Sequence, residues 1–387
     1  MGHPVGLAEV LRRHGPSYLA SHPLSSAKAK VWRAILACRT AALGGHLDAC
    51  DACGRTRHVY HSCRNRHCPR CQTRAKEAWI VARRRELLPV PYFHLVFTLP
   101  HALNGLIAAA PRLIYENLFA AVSATLTEFA ASPRHLGGVP AFSLVLHTWK
   151  QDLGRHVHLH ALVAGGALTE RGAWVLPKKG FLFPVKALSR VFRGKFVAGL
   201  EGLRNRGNLP ASHAAHPEWR RLKQGLYAHD WVVYAKPPLG GPEAVLEYLG
   251  RYTHRVAISN ERIVRVDRNE VTFRVRADPV SGRQRVVRLP GVEFIGRFLQ
   301  HVLPPGFKRI RHYGLLSPAR KKAGLAMARA ALGAPPPQPA VIESVDDFLR
   351  RTVRIEQARC PHCGHGQFRF VATIRPEHHS PGPRAPP

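Results

Sequence analysis

The sequence predicts an α+β fold, on three observations. Runs at 92–98, 141–149 and 155–163 read as strands, and a short polar link joins the last two, which makes them an antiparallel hairpin. Long, mostly apolar stretches at 102–131 and 184–204 have helical spacing and are too long for single strands. Most of the 8 cysteines fall in C-x-x-C pairs near the two ends of the chain.

In chain order, helices are expected over 5–14 and 25–43, where Val31, Ile35, Leu36 and Leu43 share a stripe. A basic helix at 73–88 stops near Pro89. The strand at 92–98 ends at Leu99-Pro100, and Pro111 breaks or starts a helix within 102–131. Gly165-Gly166 is expected to end the strand at 155–163, and a hairpin continues through Trp174-Val175-Leu176. Helices follow at 184–204 and 216–227, then a strand at 230–235 closed by Pro237-Pro238. Another helix starts after Gly241-Pro242-Glu243. A hairpin over 262–276 turns at Asp267-Arg268-Asn269, and a helix at 291–303 precedes the basic run Lys308 to Tyr313. Pro335-Pro336-Pro337 marks a linker, and the tail from 376 has the composition of a disordered segment. The expected domains are 1–88, helical and cysteine-rich; 89–325, the sheet with its helices; and 326–387, a linker, a C-x-x-C knuckle and a tail.

The chain carries 58 Lys and Arg against 24 Asp and Glu, a formal net charge of +34. Such an excess calls for a polyanionic partner. Nucleic acid fits best, because each neutralised phosphate releases counterions; an anionic membrane surface is the weaker alternative. The sequence has no long uninterrupted apolar span and no signal-peptide pattern. A cytoplasmic, nucleoid-associated protein without a membrane or small-molecule partner is therefore expected. In a reducing compartment the C-x-x-C pairs read as metal sites, not disulfides.

Cys50-x-x-Cys53 and Cys68-x-x-Cys71, separated by residues 54–67, match a four-cysteine Zn²⁺ ribbon, each knuckle supplying two of four tetrahedral ligands. His61, Cys63 and His67 lie inside the loop; one of them could replace a cysteine, and a buried thiol is the preferred reading of Cys63. Arg55, Arg57, Arg64, Arg66, Arg70 and Arg74 flank the ligands, which suits docking or nucleic-acid binding, because four protein ligands leave no open position for catalysis. Cys360-Pro361-His362-Cys363 has only two obvious ligands. It could recruit His362 or His365, pair with ligands elsewhere, or be metal-free.

His156, His158 and His160 alternate with Val157, Leu159 and Ala161. On a strand the three imidazoles share one face and the apolar residues the other. Such a row either holds a divalent metal or is the solvated face of a His-rich strand. His147, on the preceding strand, can come opposite the His158/His160 pair and is the chosen third ligand. His156 takes a supporting or DNA-contacting role, and Gln151 and His254 are secondary candidates. Tyr248 and Tyr252 are four apart, so a helix puts both on one face, beside Arg251, His254 and Arg255. Two such phenols are either a packed aromatic pair or nucleophiles. A tyrosine oxygen beside phosphate-binding cations can attack a phosphodiester and keep the DNA end as a phosphotyrosine, with a metal on the His strand stabilising the developing charge.

His158-Leu159-His160 within "HVHLHALVAGGAL" resembles the HUH motif, histidine–bulky apolar–histidine, and Tyr248-Leu249-Gly250-Arg251-Tyr252 resembles its two-tyrosine partner. "SCRNRHCPRCQ" at 62–72, "YFHLVFTLP" at 92–100, "YLGRYTHRVAISN" at 248–260 and "CPHCG" at 360–364 resemble blocks of rolling-circle transposases of the insertion-sequence-ninety-one family, in that family's order. The resemblance implies a ferredoxin-like or RRM-like antiparallel sheet, with the HUH pair on a middle strand and the tyrosine helix nearby. It also implies action on single-stranded transposon ends and target DNA with Mg²⁺ or Mn²⁺ at the HUH site and no ATP. One tyrosine nicks, leaving a 5′-phosphotyrosine and a free 3′-OH, and the second serves the other end or the target. A plasmid replication initiator or relaxase would share this core chemistry, but the zinc block argues for a transposase. A non-catalytic zinc DNA-binding protein is the third reading, and the presence of His158, His160 and both tyrosines argues against it.

Overall fold

The computed structural model describes residues 5–178, 181–239, 244, 245, 250, 257–277, 282–337 and 359–377, the side chains of 72–75, 78 and 237–239 excepted. The chain opens with helices α1 (Leu7–Ser21) and α2 (Ser26–Ala37). The Ser25 hydroxyl caps α2 by accepting the Lys28 N–H at 3.5 Å. Strands β1 (Gly45–Cys50) and β2 (Thr56–Tyr60) and helix α3 (Gln72–Arg84) follow. Next come β3 (Tyr92–Thr98), α4 (Asn104–Ala109) and α5 (Pro111–Ala131). Pro111 starts α5, where its missing N–H would have had no intrahelical partner.

The middle of the chain forms β4 (Val139–Trp149), β5 (Arg155–Leu168), β6 (Trp174–Val175), α6 (Val185–Asn205), α7 (Ala211–Ala214), α8 (His216–Tyr227) and β7 (Val233–Leu239). It continues with β8 (Ile263–Val266), β9 (Glu270–Arg276), β10 (Gln284–Pro290), α9 (Gly291–Leu299), β11 (Ile310–Gly314), α10 (Lys321–Ala331) and β12 (Phe368–Ile374).

The central sheet runs β11-β4-β5-β3-β7, with β6 paired to the end of β5, and every pairing in it is antiparallel. Period-2 alternation separates its faces. Phe93, Leu95 and Phe97 of β3, Phe142, Leu144 and Leu146 of β4, and Val157, Leu159, Ala161 and Val163 of β5 enter the main core beneath α5 and α6. Tyr92, Leu162 and Ala164 have the opposite parity and join a second cluster with Leu87, Leu88, Val90, Val245, Leu316 and Ala328. A third cluster unites α1, α2, β9 and α9 with Cys38, Cys68 and Leu153. The α+β expectation and the β4–β5 hairpin are observed.

Two local expectations are corrected, and the basic run at 308–313 acquires a structure. Gly165-Gly166 does not end β5, which continues to Leu168; Gly166 has φ +142°, and a Cβ there would collide with the Trp174 indole of β6. The glycine therefore lets β6 approach and pair. The strand expected at 230–235 begins at Val233 and runs through Pro237 and Pro238 to Leu239. Among the described residues it pairs only with β3 on this sheet, and proline is tolerated on an edge that needs no second set of donors. The basic run at 308–313 becomes the opposite edge strand, β11, where Arg311 forms a bidentate pair with Glu116 at 2.6 and 2.9 Å and lies over the Phe119 ring.

The segment expected as linker, knuckle and tail also contributes structure. Strand β12 pairs antiparallel with β1, which pairs with β2. Replacing Phe97, fully buried and edge-on to Phe192 at 5.3 Å, by Ala is expected to lower the free energy of unfolding by about 3–5 kcal/mol. Val232→Ala, at a side chain 62% exposed, should change it by less than about 0.5 kcal/mol. Urea titration measures both, and equal effects would mean that the helices do not pack on that face.

Candidate metal centres and active site

The turn between β4 and β5 sets the site. Leu153 is fully buried and has φ +64°, a left-handed conformation unusual for leucine. Its carbonyl accepts from Gln300 Nε2 at 2.8 Å and from His301 Nε2 at 2.9 Å, which ties the turn to the end of α9. Beyond it, His147 sits directly opposite His158, and Val145 opposite His160. All three histidines therefore lie on the face turned away from the main core.

His158 Nε2 is 3.1 Å from His160 Nε2, which is 3.1 Å from His147 Nδ1. These three atoms converge as a ligand set. Nitrogen ligands about 2.0–2.1 Å from one ion, at angles of roughly 90–110°, stand about 2.8–3.4 Å apart. The two 3.1 Å spacings match neighbouring ligands of one cation, and all three ligand atoms lie within 4.8 Å of one another.

Outer contacts set the tautomers. His158 donates through Nδ1 to the His156 carbonyl at 2.9 Å, leaving Nε2 free to bind. His160 Nδ1 meets His94 Nε2 at 2.9 Å, and Trp149 stacks on His147 with centroids 4.7 Å apart. Burial, with His156 adding to it, lowers the His158 pKa to about 4; burial and then the Lys236 charge lower that of His94 to about 3. Both imidazoles are neutral near pH 7, the state that ligation requires.

The structure brings His147, His158 and His160 together. His156 stays outside the set and serves His158 through its carbonyl, with rings 4.9 Å apart. The Gln151 carbonyl is occupied by the Arg262 guanidinium. His94 was missed; its signal was its parity on β3, shared with Tyr92 and opposite to Phe93 and Leu95. Tyr248, Tyr252 and His254 lie outside the described residues. Near the tyrosines, Val245 is buried in the same cluster as Leu162 and Ala164, on the histidine face. At Gly250 an added Cβ would come within 2.6 Å of the end of the Ile80 side chain and 2.8 Å of that of Lys76 on α3, so the backbone there approaches α3 closely.

The cysteines form two clusters, which corrects the expected grouping. Cys68 and Cys71 do not join Cys50 and Cys53; they meet Cys63 and Cys38. Cys38 Sγ is 3.4 Å and Cys63 Sγ 3.6 Å from Cys71 Sγ. Cys38 ends α2 and Cys71 precedes α3, so the cluster fastens the two helices, and its thiols pack on the third hydrophobic cluster alongside Trp149. Cys50 and Cys53 turn to the other end of the chain and meet Cys360 and Cys363. Cys63 is thus a cluster member, not a lone buried thiol, and the late knuckle finds its partners elsewhere. The physical reason is the β1–β2 hairpin, which carries the Cys50/Cys53 turn away from Cys68 and Cys71. Spacing along the chain could not show this.

An antiparallel sheet with a histidine triad, joined to two four-cysteine clusters, has the ligand sets of a metal-binding protein. Residues 10–99 match a family model described as "Transposase zinc-binding domain", and residues 141–323 one described as "Putative transposase". The chain is 45% identical over 372 residues, 94% of each protein, to "Putative transposase y4qJ" of Sinorhizobium fredii (strain NBRC 101917 / NGR234). It is 27% identical over 343 residues to "Transposase for insertion sequence element IS801" of Pseudomonas savastanoi pv. phaseolicola, covering 85% of this chain and 80% of that one. The chain belongs to the IS91 family of transposases. Among solved structures it is similar to the conjugative relaxase TrwC in complex with mutant OriT DNA (14% identity, 41% of this chain, 71% of that chain, TM-score 0.22). A metal-bound TrwC–OriT complex matches at 14% identity over 44% of this chain and 73% of that chain, with TM-score 0.23. Among the described residues no helix is long and apolar enough to cross a membrane.

Burial of neutral histidines gives stability a definite pH dependence. His94, His158 and His301 have pKa values lowered by burial to about 3, 4 and 4, against 6.5 for the free side chain. Below pH 6.5 the unfolded chain binds protons that the folded chain does not, so the contribution is complete above pH 6.5 and is lost as pH falls toward 4. The urea midpoint, without added metal, should be lower at pH 5 than at pH 7.5. An unchanged midpoint would contradict neutral burial of these rings.

Proposed function

We propose that this transposase is an HUH-type DNA strand transferase, which nicks and rejoins single-stranded transposon ends through Tyr248 and Tyr252. The observation that carries the reading is the convergence of His147, His158 and His160, with neighbouring donor nitrogens 3.1 Å apart on one face of the sheet. The burial of Val245 with Leu162 and Ala164, and the approach of Gly250 to Ile80 and Lys76 of α3, support the reading.

His147, His158 and His160 would hold a divalent ion, and the all-nitrogen donor set suits a first-row ion such as Mn²⁺ better than Mg²⁺, which prefers oxygen. Bound there, such an ion supplies Lewis-acid polarisation of a phosphate oxygen. One tyrosine Oη, losing its proton, attacks phosphorus. The new P–O bond forms as the bond to O3′ breaks, O3′ takes up a proton as a free hydroxyl, and the 5′ end stays on the tyrosine. Attack by a 3′-hydroxyl on the phosphotyrosine reverses these changes and restores a phosphodiester. The bond energy is conserved through the covalent link, so ATP is not needed. Two tyrosines hold two ends in one cycle. The cysteine clusters bind Zn²⁺ and play no part in these steps, because each offers four protein ligands and no open position. The charge of +34 provides the counterion-releasing attraction to cellular DNA, in the cytoplasm.

The test is incubation with single-stranded DNA of the element's own ends and Mn²⁺, followed by a denaturing gel. A covalent adduct is expected. It should vanish in a Tyr248→Phe/Tyr252→Phe chain and fall by about 10²-fold or more in His158→Ala/His160→Ala. An adduct that survives the double tyrosine replacement, or no adduct with the unmutated chain, overturns the reading.

A further inference from the structure

The second cysteine cluster joins residues from opposite ends of the chain. Cys50-Asp51-Ala52-Cys53-Gly54 and Cys360-Pro361-His362-Cys363-Gly364 are two copies of one pattern, C-x-x-C-G. They fold alike. Gly54 and Gly364 have φ +69° and +74°, and each donates its N–H to the carbonyl of its first cysteine, at 3.0 and 2.9 Å. The left-handed glycine closes each turn and leaves both thiols on one side.

The turns face each other in crossed register. Cys50 Sγ lies 3.7 Å from Cys363 Sγ, and Cys53 Sγ 3.7 Å from Cys360 Sγ, with all four sulfurs within 4.8 Å of one another. Sulfurs about 2.3 Å from a tetrahedral ion stand about 3.8 Å apart. The sulfurs are far beyond the ~2.05 Å of a disulfide, and four converging thiols are one more pair than a disulfide uses. The Gly366 N–H points at Cys363 Sγ from 3.3 Å, a donor that stabilises a thiolate, and a Cβ at Gly366 would strike Cys50 Sγ.

The surrounding contacts also span the two ends. Asp51 N–H donates to the Gln367 carbonyl at 2.9 Å, and Gln367 N–H to Asp51 Oδ1 at 2.7 Å. β12 pairs with β1 from Cys50↔Phe368 to Gly45↔Ile374, and the Arg57 guanidinium lies 3.9 Å from the Phe368 ring centre. Cys360 and Cys363 are outside residues 10–99, the span that matches the transposase zinc-binding domain.

We infer that Cys50, Cys53, Cys360 and Cys363 form a structural zinc site separate from Cys38, Cys63, Cys68 and Cys71, and that this ion clasps the C-terminal segment to the N-terminal zinc-binding region. The N-terminal region is then incomplete by itself. Four thiolates on one ion close the metal to substrate, so the site's role is to dock β12 on β1. It is independent of the strand-transfer reading.

The test counts zinc in the full chain purified under reducing conditions, in a His158→Ala/His160→Ala background so that the triad does not contribute. Two zinc equivalents per chain are expected. Cys360→Ser/Cys363→Ser should lose one and keep the other, and Cys38→Ser/Cys68→Ser should lose the complementary one. In the first variant, amide hydrogen exchange should speed up in β1 while β4 and β5 remain protected, which separates undocking from unfolding. Cobalt substitution of the chain with all cysteines intact gives a reading that no unfolded variant can spoil: tetrathiolate charge-transfer absorption for two sites. One zinc in that chain, cobalt absorption for one site, or undiminished zinc in Cys360→Ser/Cys363→Ser overturns the inference.

Discussion

The pairing of β4 with β5 is the constraint on which the rest depends. With His147 opposite His158, every side chain on both strands is assigned a face, because a slip of one residue would exchange the faces. Leu144, Leu146, Val157, Leu159 and Ala161 then lie in the main core, and burying them drives the same pairing that assembles the imidazoles on the other side. The buried Leu153 turn and its bonds from Gln300 and His301 hold that register from the loop end. Core and candidate active site are thus two consequences of one register.

A triad built on neighbouring strands is more rigid than one borne on loops. Its nitrogens are held by backbone pairing, the tautomers of His160 and His158 by His94 and the His156 carbonyl, and the His147 ring by its stack on Trp149. The face that carries it is covered by α3, the residues after it and α10 at one end, and approached by the α1–α2–α9 cluster through Trp149 at the other. The first cysteine cluster contributes to that latter cover. Zinc-binding region and sheet are therefore joined through hydrophobic packing beside the triad, and a family organisation of zinc-binding part plus transposase part corresponds here to one continuous set of contacts.

Much of this was legible wherever the physics is local. Strand alternation at 92–98 and 141–149, the start of α5 at Pro111 and the shared face of His158 and His160 each follow from a few adjacent residues. His147 was also within reach, because a short hairpin connection limits which residues can lie opposite each other. His94 was not singled out: its strand is adjacent to β5 in space but distant in sequence, and nothing local states which strand will pair there. Leu239, reached through two prolines, was likewise hidden, because proline is acceptable in a strand only if that strand is an edge, and edges are a property of the whole sheet.

By itself, the sequence determined the residue patterns that point to sites in this protein: imidazoles at period 2, thiols in two-ligand knuckles, two tyrosines four residues apart, and a charge suited to nucleic acid. Those depend on residue type and short spacing. Only the tertiary structure decided which thiols share a cluster. A knuckle supplies two ligands of four, and the other two are chosen by which turns the fold brings within about 4 Å. Here the β1–β2 hairpin carries Cys50 and Cys53 away from the nearer pair and toward Cys360 and Cys363, and the pairing of β12 with β1 brings that distant knuckle back.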